Sequence, residues 1–186
     1  MAASHHGDTP HPGKTVTPVP VTPYTTSVDV NPHGNCERYA IPPGLTPIGQ
    51  FLEVRPTDSS RPYAGGPRPV LTAWLRLTED DQPPDIFRLI MLMDALAPSY
   101  AAVLTTPQAI PTVELTVRYA GGLQGASSPW ILLRASTTWV SVDGWLNEHL
   151  DAWDPAGTHL ASADQLRTIS SSPPVAAARL EQELQS

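Results

Sequence analysis

The sequence is short of the residues that several functions require. Cys36 is the only cysteine, so no internal disulfide can form and no cysteine-based zinc site exists. It reads as an ordinary free thiol, because no His/Asn setting accompanies it as it would a catalytic cysteine. Lysine is nearly absent: ten of the eleven basic residues are arginine, and Lys14 is the exception. Acidic residues outnumber basic ones, and the net charge of −7 with a pI near 5.2 argues against nucleic acid and anionic membrane surfaces as partners. No continuous apolar run approaches the roughly 18 residues that a membrane span needs. The first thirty residues lack the apolar core of a secretory signal, so a soluble, cytoplasmic protein is expected. No glycine-rich phosphate cradle is visible either. The loop from Gly121-Gly122 to Gly125 has neither a following helix nor a lysine.

Proline is plentiful, and thirteen of the 22 prolines precede residue 70. Residues 1–23 are rich in Pro, Thr and His with almost nothing to bury, which predicts a disordered or extended leader. His5, His6 and His11 in it could bind metal adventitiously. The remaining length suits one domain with a real core, placed at residues 24–169, followed by a linker and a C-terminal helix or tail over 170–186.

The stretch Ile86 to Ser99, IFRLIMLMDALAPS, organises that domain. Arg88 aside, it is apolar on every side up to Asp94, which predicts a helix buried all round. Asp85 is a plausible N-cap after Pro83-Pro84, and the helix is expected over about Asp85 to Ala97. Pro98 has no N–H for the Asp94 carbonyl and crowds it, so the helix should end or kink one turn beyond the acid. An ionised carboxylate in so apolar a run is costly unless partnered. Asp94 is therefore a site candidate.

Around the helix the pattern has period two. Short strands are expected at Ser27–Val30 and Ile48–Val54, and a clear one over Pro69–Thr78, where Leu71, Ala73, Leu75 and Leu77 alternate with Thr72, Trp74, Arg76 and Thr78. Tyr100–Leu104 is looser. Four strands follow, at Thr112–Tyr119, Trp130–Val142, Trp145–Trp153 and Thr158–Ile169, with turns at Asp143-Gly144 and Asp154-Pro155-Ala156-Gly157. Simple alternation sets Thr112 opposite the Val113/Leu115 row, and Gln165 on one face with His159, Ala161 and Ala163. A curved antiparallel sheet wrapped around one apolar helix is the hotdog fold, of the α+β class, and it suits a helix without a polar face.

Three segments carry a family resemblance: LIMLMDALAPS around Asp94, PTVELTVRY from Pro111 to Tyr119, and WDPAGTHLASADQL from Trp153 to Leu166. Together they resemble the C-terminal half of thioesterase II-type acyl-CoA thioesterases, as found among actinobacterial "thioesterase family" proteins, over about Val70 to Thr168. The resemblance implies hydrolysis of a fatty acyl-CoA to free fatty acid and coenzyme A, without cofactor or metal. It implies Asp94 on the central helix, Thr112 at the next strand's start and Gln165 on the last strand as the groups around the attacking water. Such a water needs a carboxylate to accept its proton, and an amide and a hydroxyl to fix it without charge. The oxyanion is expected to be met by backbone N–H groups or the Gln165 amide.

Proteins of this type usually carry two hotdog halves, whereas this chain has room for one. Pairing through a homodimer or higher oligomer is therefore expected, and the alternative function is a catalytically inactive acyl-binding or assembly module. Coenzyme A phosphates would fall to scattered arginines, Arg118, Arg134 and Arg167 being candidates. Glu114 and the pair Glu148-His149 read as solvated strand positions rather than an acid/base pair. Trp130, Trp139, Trp145 and Trp153 read as packing and edge-covering aromatics.

Overall fold

The protein is described by a computed structural model over residues 30–41, 47–79 and 81–170. The expected leader with its histidines, nearly all of the Ser27–Val30 strand and the C-terminal tail beyond Ser170 lie outside the described residues. Two strands precede the helix, β1 (Leu52–Pro56) and β2 (Val70–Leu77). Helix α1 spans Ile86–Ala95, and four strands follow: β3 (Thr112–Tyr119), β4 (Ile131–Val140), β5 (Trp145–Trp153) and β6 (His159–Thr168). They form one antiparallel sheet in the order β1-β2-β4-β5-β6-β3, with α1 against one face, which is the hotdog arrangement.

Alternation in the strands explains the two faces. Leu71, Ala73 and Leu75 of β2, Ile131, Leu133 and Ala135 of β4, and Leu150 and Ala152 of β5 form one cluster with Leu89, Leu92 and Met93 of α1. On the opposite face Trp74, Leu132 and Trp153 gather with Trp130 and Cys36 into a smaller cluster, covered by the segment before β1. There Trp74 donates its indole N–H to the Asn31 carbonyl at 2.8 Å, and His33 stacks on Trp130 with ring centroids 4.8 Å apart. The same outer face carries a cross-strand clamp, in which Glu53 of β1 accepts from Arg55 and Arg76.

Asp85 caps α1 as its composition suggests, accepting from the Arg88 backbone N–H at 2.8 Å. The helix stops at Ala95, two residues sooner than expected. The residue before a proline avoids helical backbone, so Pro98 acts back on Ala97 and the chain is already extended at Leu96. Residues 99–103 form a 3-10 turn. The stretch Ile86–Val103 is, on average, apolar over a span-like 18 residues after all, but only its first ten are α-helix. Ten residues reach about 15 Å, half of a bilayer core.

The expectation of a helix buried on every side is corrected as well. Leu89, Leu92 and Met93 are buried, yet Phe87 is 81% exposed and Ile86 48%. The sheet covers one side of α1 and leaves the other open.

β5 has the bounds its alternation predicts, and so does β3, but one-residue bulges in β3 and β6 change which side chains share a face, and a third lies in β4 at Thr138. Thr112 pairs with Arg167 and Glu114 with Leu166, so Val113 is an extra residue in β3. Thr112 consequently lies on the helix-side face with Leu115, not opposite it. In β6, Ala161 faces Ala152 and His159 faces Trp153, so Leu160 is extra and His159 turns to the outer face, away from Gln165. The segment at Gly121–Gly125 is a 3-10 turn packed on β6. A Cβ on Gly122 would lie 2.5 Å from the His159 carbonyl oxygen, so its glycine serves close packing.

Two predictions follow from the packing and the clamp. Leu92→Ala should lower stability by about 2–5 kcal/mol in urea unfolding, while Phe87→Ala should stay within about 0.5 kcal/mol for the monomer. Burial alone would raise the Glu53 carboxyl, but hydrogen bonds from Arg76 and Arg55 outweigh it and hold the group below its ordinary range. A depressed carboxylate stabilises the fold above its unfolded value, about pH 4.3, and loses that contribution as pH falls through the lower folded value. Glu53→Gln should therefore lose less Tm than the wild type on acidification below that point, measured by thermal melts across an acid series.

Candidate active site

The last turn of α1 carries Asp94, whose side chain stands exposed at the rim of the sheet. The bulge in β3 turns Thr112 toward it, and register with β6 sets Gln165 beside both. Thr112 donates its hydroxyl to Asp94 Oδ1 at 2.8 Å. The Gln165 amide donates to the same oxygen at 2.5 Å and to Thr112 Oγ1 at 2.6 Å. Asp94, Thr112 and Gln165, named from separate segments of the sequence, thus meet in one cluster. Asp94 Oδ2 is bonded to no group among the described residues.

Behind this cluster lies a buried layer that strand alternation did not reveal. Arg167, two residues beyond Gln165 and therefore on the same face, is 4% exposed. It donates to Gln165 Oε1 at 2.8 Å, to Thr112 Oγ1 at 3.1 Å and to the Ile110 carbonyl at 3.3 Å. Its Nε donates to Glu148 Oε2 at 2.7 Å. The other Glu148 oxygen accepts the backbone N–H of Ser99, just past α1, and Ser99 Oγ lies 2.9 Å from Thr137 Oγ1.

Two expectations change. Glu148 is not a solvated strand residue but wholly buried, because β5 turns its Leu146/Glu148/Leu150 side toward the helix. Arg167 is equally unavailable to a phosphate, being enclosed and paired. Alternation does set Glu148 in a row with Leu146 and Leu150, and Arg167 in one with Ala161 and Ala163, but the pairing that makes their burial tolerable leaves no mark in either row.

Glu148 and His149 point to opposite faces and cannot act together. His149 lies on the outer face, 3.0 Å from Asp164, which also pairs with Arg118 at 2.6 Å. These contacts, the His149 hydrogen bond first and the Arg118 one next, hold the Asp164 carboxyl below its ordinary range. Nearby, Ser162 Oγ and Asp151 Oδ1 both approach His159 Nε2, at 3.1 and 3.2 Å. A nucleophile and its orienting acid must use different ring nitrogens, so these three do not form a triad. Glu114 is exposed as expected. Trp130 and Trp153 are buried packing residues, while Trp139 and Trp145 are half exposed. Arg134 lines an outer-face cleft of about 320 Å³ with Arg68 and Asp58.

Chemically, the cluster offers a carboxylate with one oxygen tied by two neutral donors and the other available to a water. Both amide protons of Gln165 are already engaged, so an oxyanion would have to be met by other donors in this arrangement. No group of three His, Cys, Asp or Glu is placed to hold a metal ion among the described residues. Asp94, Thr112 and Gln165 line neither the outer cleft nor the second one, of about 440 Å³, which lies between Ile86 at the start of α1 and Tyr119 at the end of β3.

Solved structures share this fold. A protein of unknown function with a hot dog fold from Alicyclobacillus acidocaldarius is 22% identical, with a TM-score of 0.67 over 90% of this chain and 59% of its own. A candidate thioesterase from Novosphingobium aromaticivorans is 22% identical, with a TM-score of 0.59 over 77% of this chain and 53% of its own. A candidate thioesterase II from Thermobifida fusca is 23% identical, with a TM-score of 0.57 over 84% of this chain and 57% of its own. The chain thus spans little more than half the length of these relatives. Comparison with curated proteins gives no match. A family model of the acyl-CoA thioesterase C-terminal domain matches residues 27–169, which include the whole Asp94 cluster, and the chain belongs to that family.

Proposed function

We propose that this protein hydrolyses fatty acyl-CoA thioesters, with Asp94 as the general base. The observation that carries this is the Asp94 carboxylate itself, held through Oδ1 by Thr112 and Gln165 while Oδ2 remains available at an exposed position. A water on Oδ2 would form a bond to the thioester carbon as its proton passes to the carboxylate. Collapse of the tetrahedral intermediate then breaks the C–S bond, the coenzyme A thiolate leaves and takes up a proton, and a carboxylic acid remains. Thr112 and Gln165 serve this step by fixing the carboxylate, and reach the water through it.

The acyl chain needs a wall that one hotdog does not provide, and we place it on a second copy of the chain. Support comes from Phe87 and Ile86 on the open side of α1 and from Val113, 53% exposed, on β3, the strand at one edge of the sheet. A competing reading, in which the hotdog binds acyl groups without turnover, is favoured by the two clefts, neither of which Asp94, Thr112 or Gln165 lines.

Thiol release from a panel of acyl-CoAs separates the two. Wild type should release thiol, and Asp94→Asn should be slower by roughly 10²–10⁴-fold. Tight acyl-CoA binding with no release at any chain length would select the binding module. Thr112→Ser should keep most of the rate, whereas Thr112→Val, which leaves the Arg167 and Gln165 donors without their acceptor, should lose it. Light scattering should report a dimer or larger species, and a monodisperse monomer would count against the second-copy wall.

A further inference from the structure

We infer that Arg167, clamped by Glu148, is the positioning residue of this site: it dictates that both Thr112 and Gln165 present protons, not lone pairs, to Asp94. This inference rests on the thioesterase reading for its kinetic consequences, but not for its geometry. A guanidinium is a donor only. Arg167 therefore obliges Thr112 Oγ1 and Gln165 Oε1 to accept from it, at 3.1 and 2.8 Å. With its oxygen so engaged, the Gln165 side chain must turn its NH₂ end toward Asp94 and Thr112. Thr112 Oγ1 then receives two donors, Arg167 and Gln165, and its single proton can go only to Asp94 Oδ1.

Without the guanidinium neither direction is enforced. An amide is nearly the same shape after a half-turn, and a turned Gln165 would set Oε1 against the carboxylate. The freed hydroxyl could rotate as well. Glu148 fixes the guanidinium in turn, and its second oxygen holds the Ser99 N–H five residues beyond Asp94. The chain of bonds leaves α1 at Asp94 and returns at Ser99, the first residue of the 3-10 turn that follows the helix. It therefore sets where the acid stands as well as what meets it. A lysine cannot replace Arg167 here, because one ammonium cannot span three acceptors in a plane.

Removing Arg167 alone would strand a buried Glu148 charge, so the test uses Glu148→Gln/Arg167→Met, which removes both charges. If Arg167 acts as inferred, kcat for thiol release falls by about a hundredfold, the scale of a misplaced catalytic group. KM should stay within about twofold, since misorientation acts on the chemical step. In a Thr112→Val/Gln165→Ala background the same pair should cost less than about threefold, because the groups it directs are gone. Losses that multiply across the two backgrounds, or a folded double variant with wild-type kcat, would overturn the inference.

A readout independent of activity is the Gln165 side-chain amide in the NMR spectrum. In the wild type its two protons should be distinct and slow to exchange, and in the double variant they should lose that protection. Rapidly exchanging Gln165 amide protons in the wild type would overturn the inference whether or not any variant folds. A protein that releases no thiol but keeps the protected amide would sink the thioesterase reading and leave the positioning role standing.

Discussion

The Arg167–Glu148 pair is the constraint on which the site depends. Burying two charges costs several kcal/mol per ion before anything is regained. Here the cost is offset by a dense set of bonds, since the guanidinium donates to Glu148, Gln165, Thr112 and Ile110 and both Glu148 oxygens are occupied. Such a pair demands a register in which β5, β6 and β3 bring positions 148, 167 and 112 to one side. The two neighbouring strand pairings supply that register.

Much of this was legible in the sequence, and the limits have physical causes. The strict alternation of TVELTVRY and the Asp-Gly turn after β4 fix β3 and the start of β5, because side chains in a half-buried sheet repeat every two residues. Alternation counts residues, however, and a bulge miscounts by one. Nothing in the composition of Thr112-Val113-Glu114 announces the extra residue, so Thr112 was assignable to the site by resemblance and not by face. The same holds for His159 beside Leu160. Glu148 failed for another reason. A charged residue in a strand is usually solvated, and its burial depends on Arg167 nineteen residues away. A pairwise exception of that kind is invisible to single-residue patterns.

The helix teaches a complementary lesson. Its apolar surface exceeds what one curved sheet covers, which is why Phe87 remains in solvent although every rule of patterning would bury it. A sequence can specify apolar area without saying whether the same chain or another copy supplies the cover. Membership in the acyl-CoA thioesterase C-terminal domain family is consistent with such an excess, since the part of this chain that matches the three structures compared covers 53–59% of their length.

Thr112 opens an edge strand whose ladder has one neighbour, β6, and the bulge interrupts even that at its first pair. Gln165 and Arg167 sit on β6, which is paired on both sides, and Asp94 on a helix anchored by buried Leu89, Leu92 and Met93. The cluster is thus assembled from parts of unequal local stability, and its hydroxyl belongs to the part that frays first. Heating or mild denaturant would detach β3 from its partner while the β2-β4-β5 core still holds α1. Function would fade through a partly open native state, ahead of any cooperative melting of the domain.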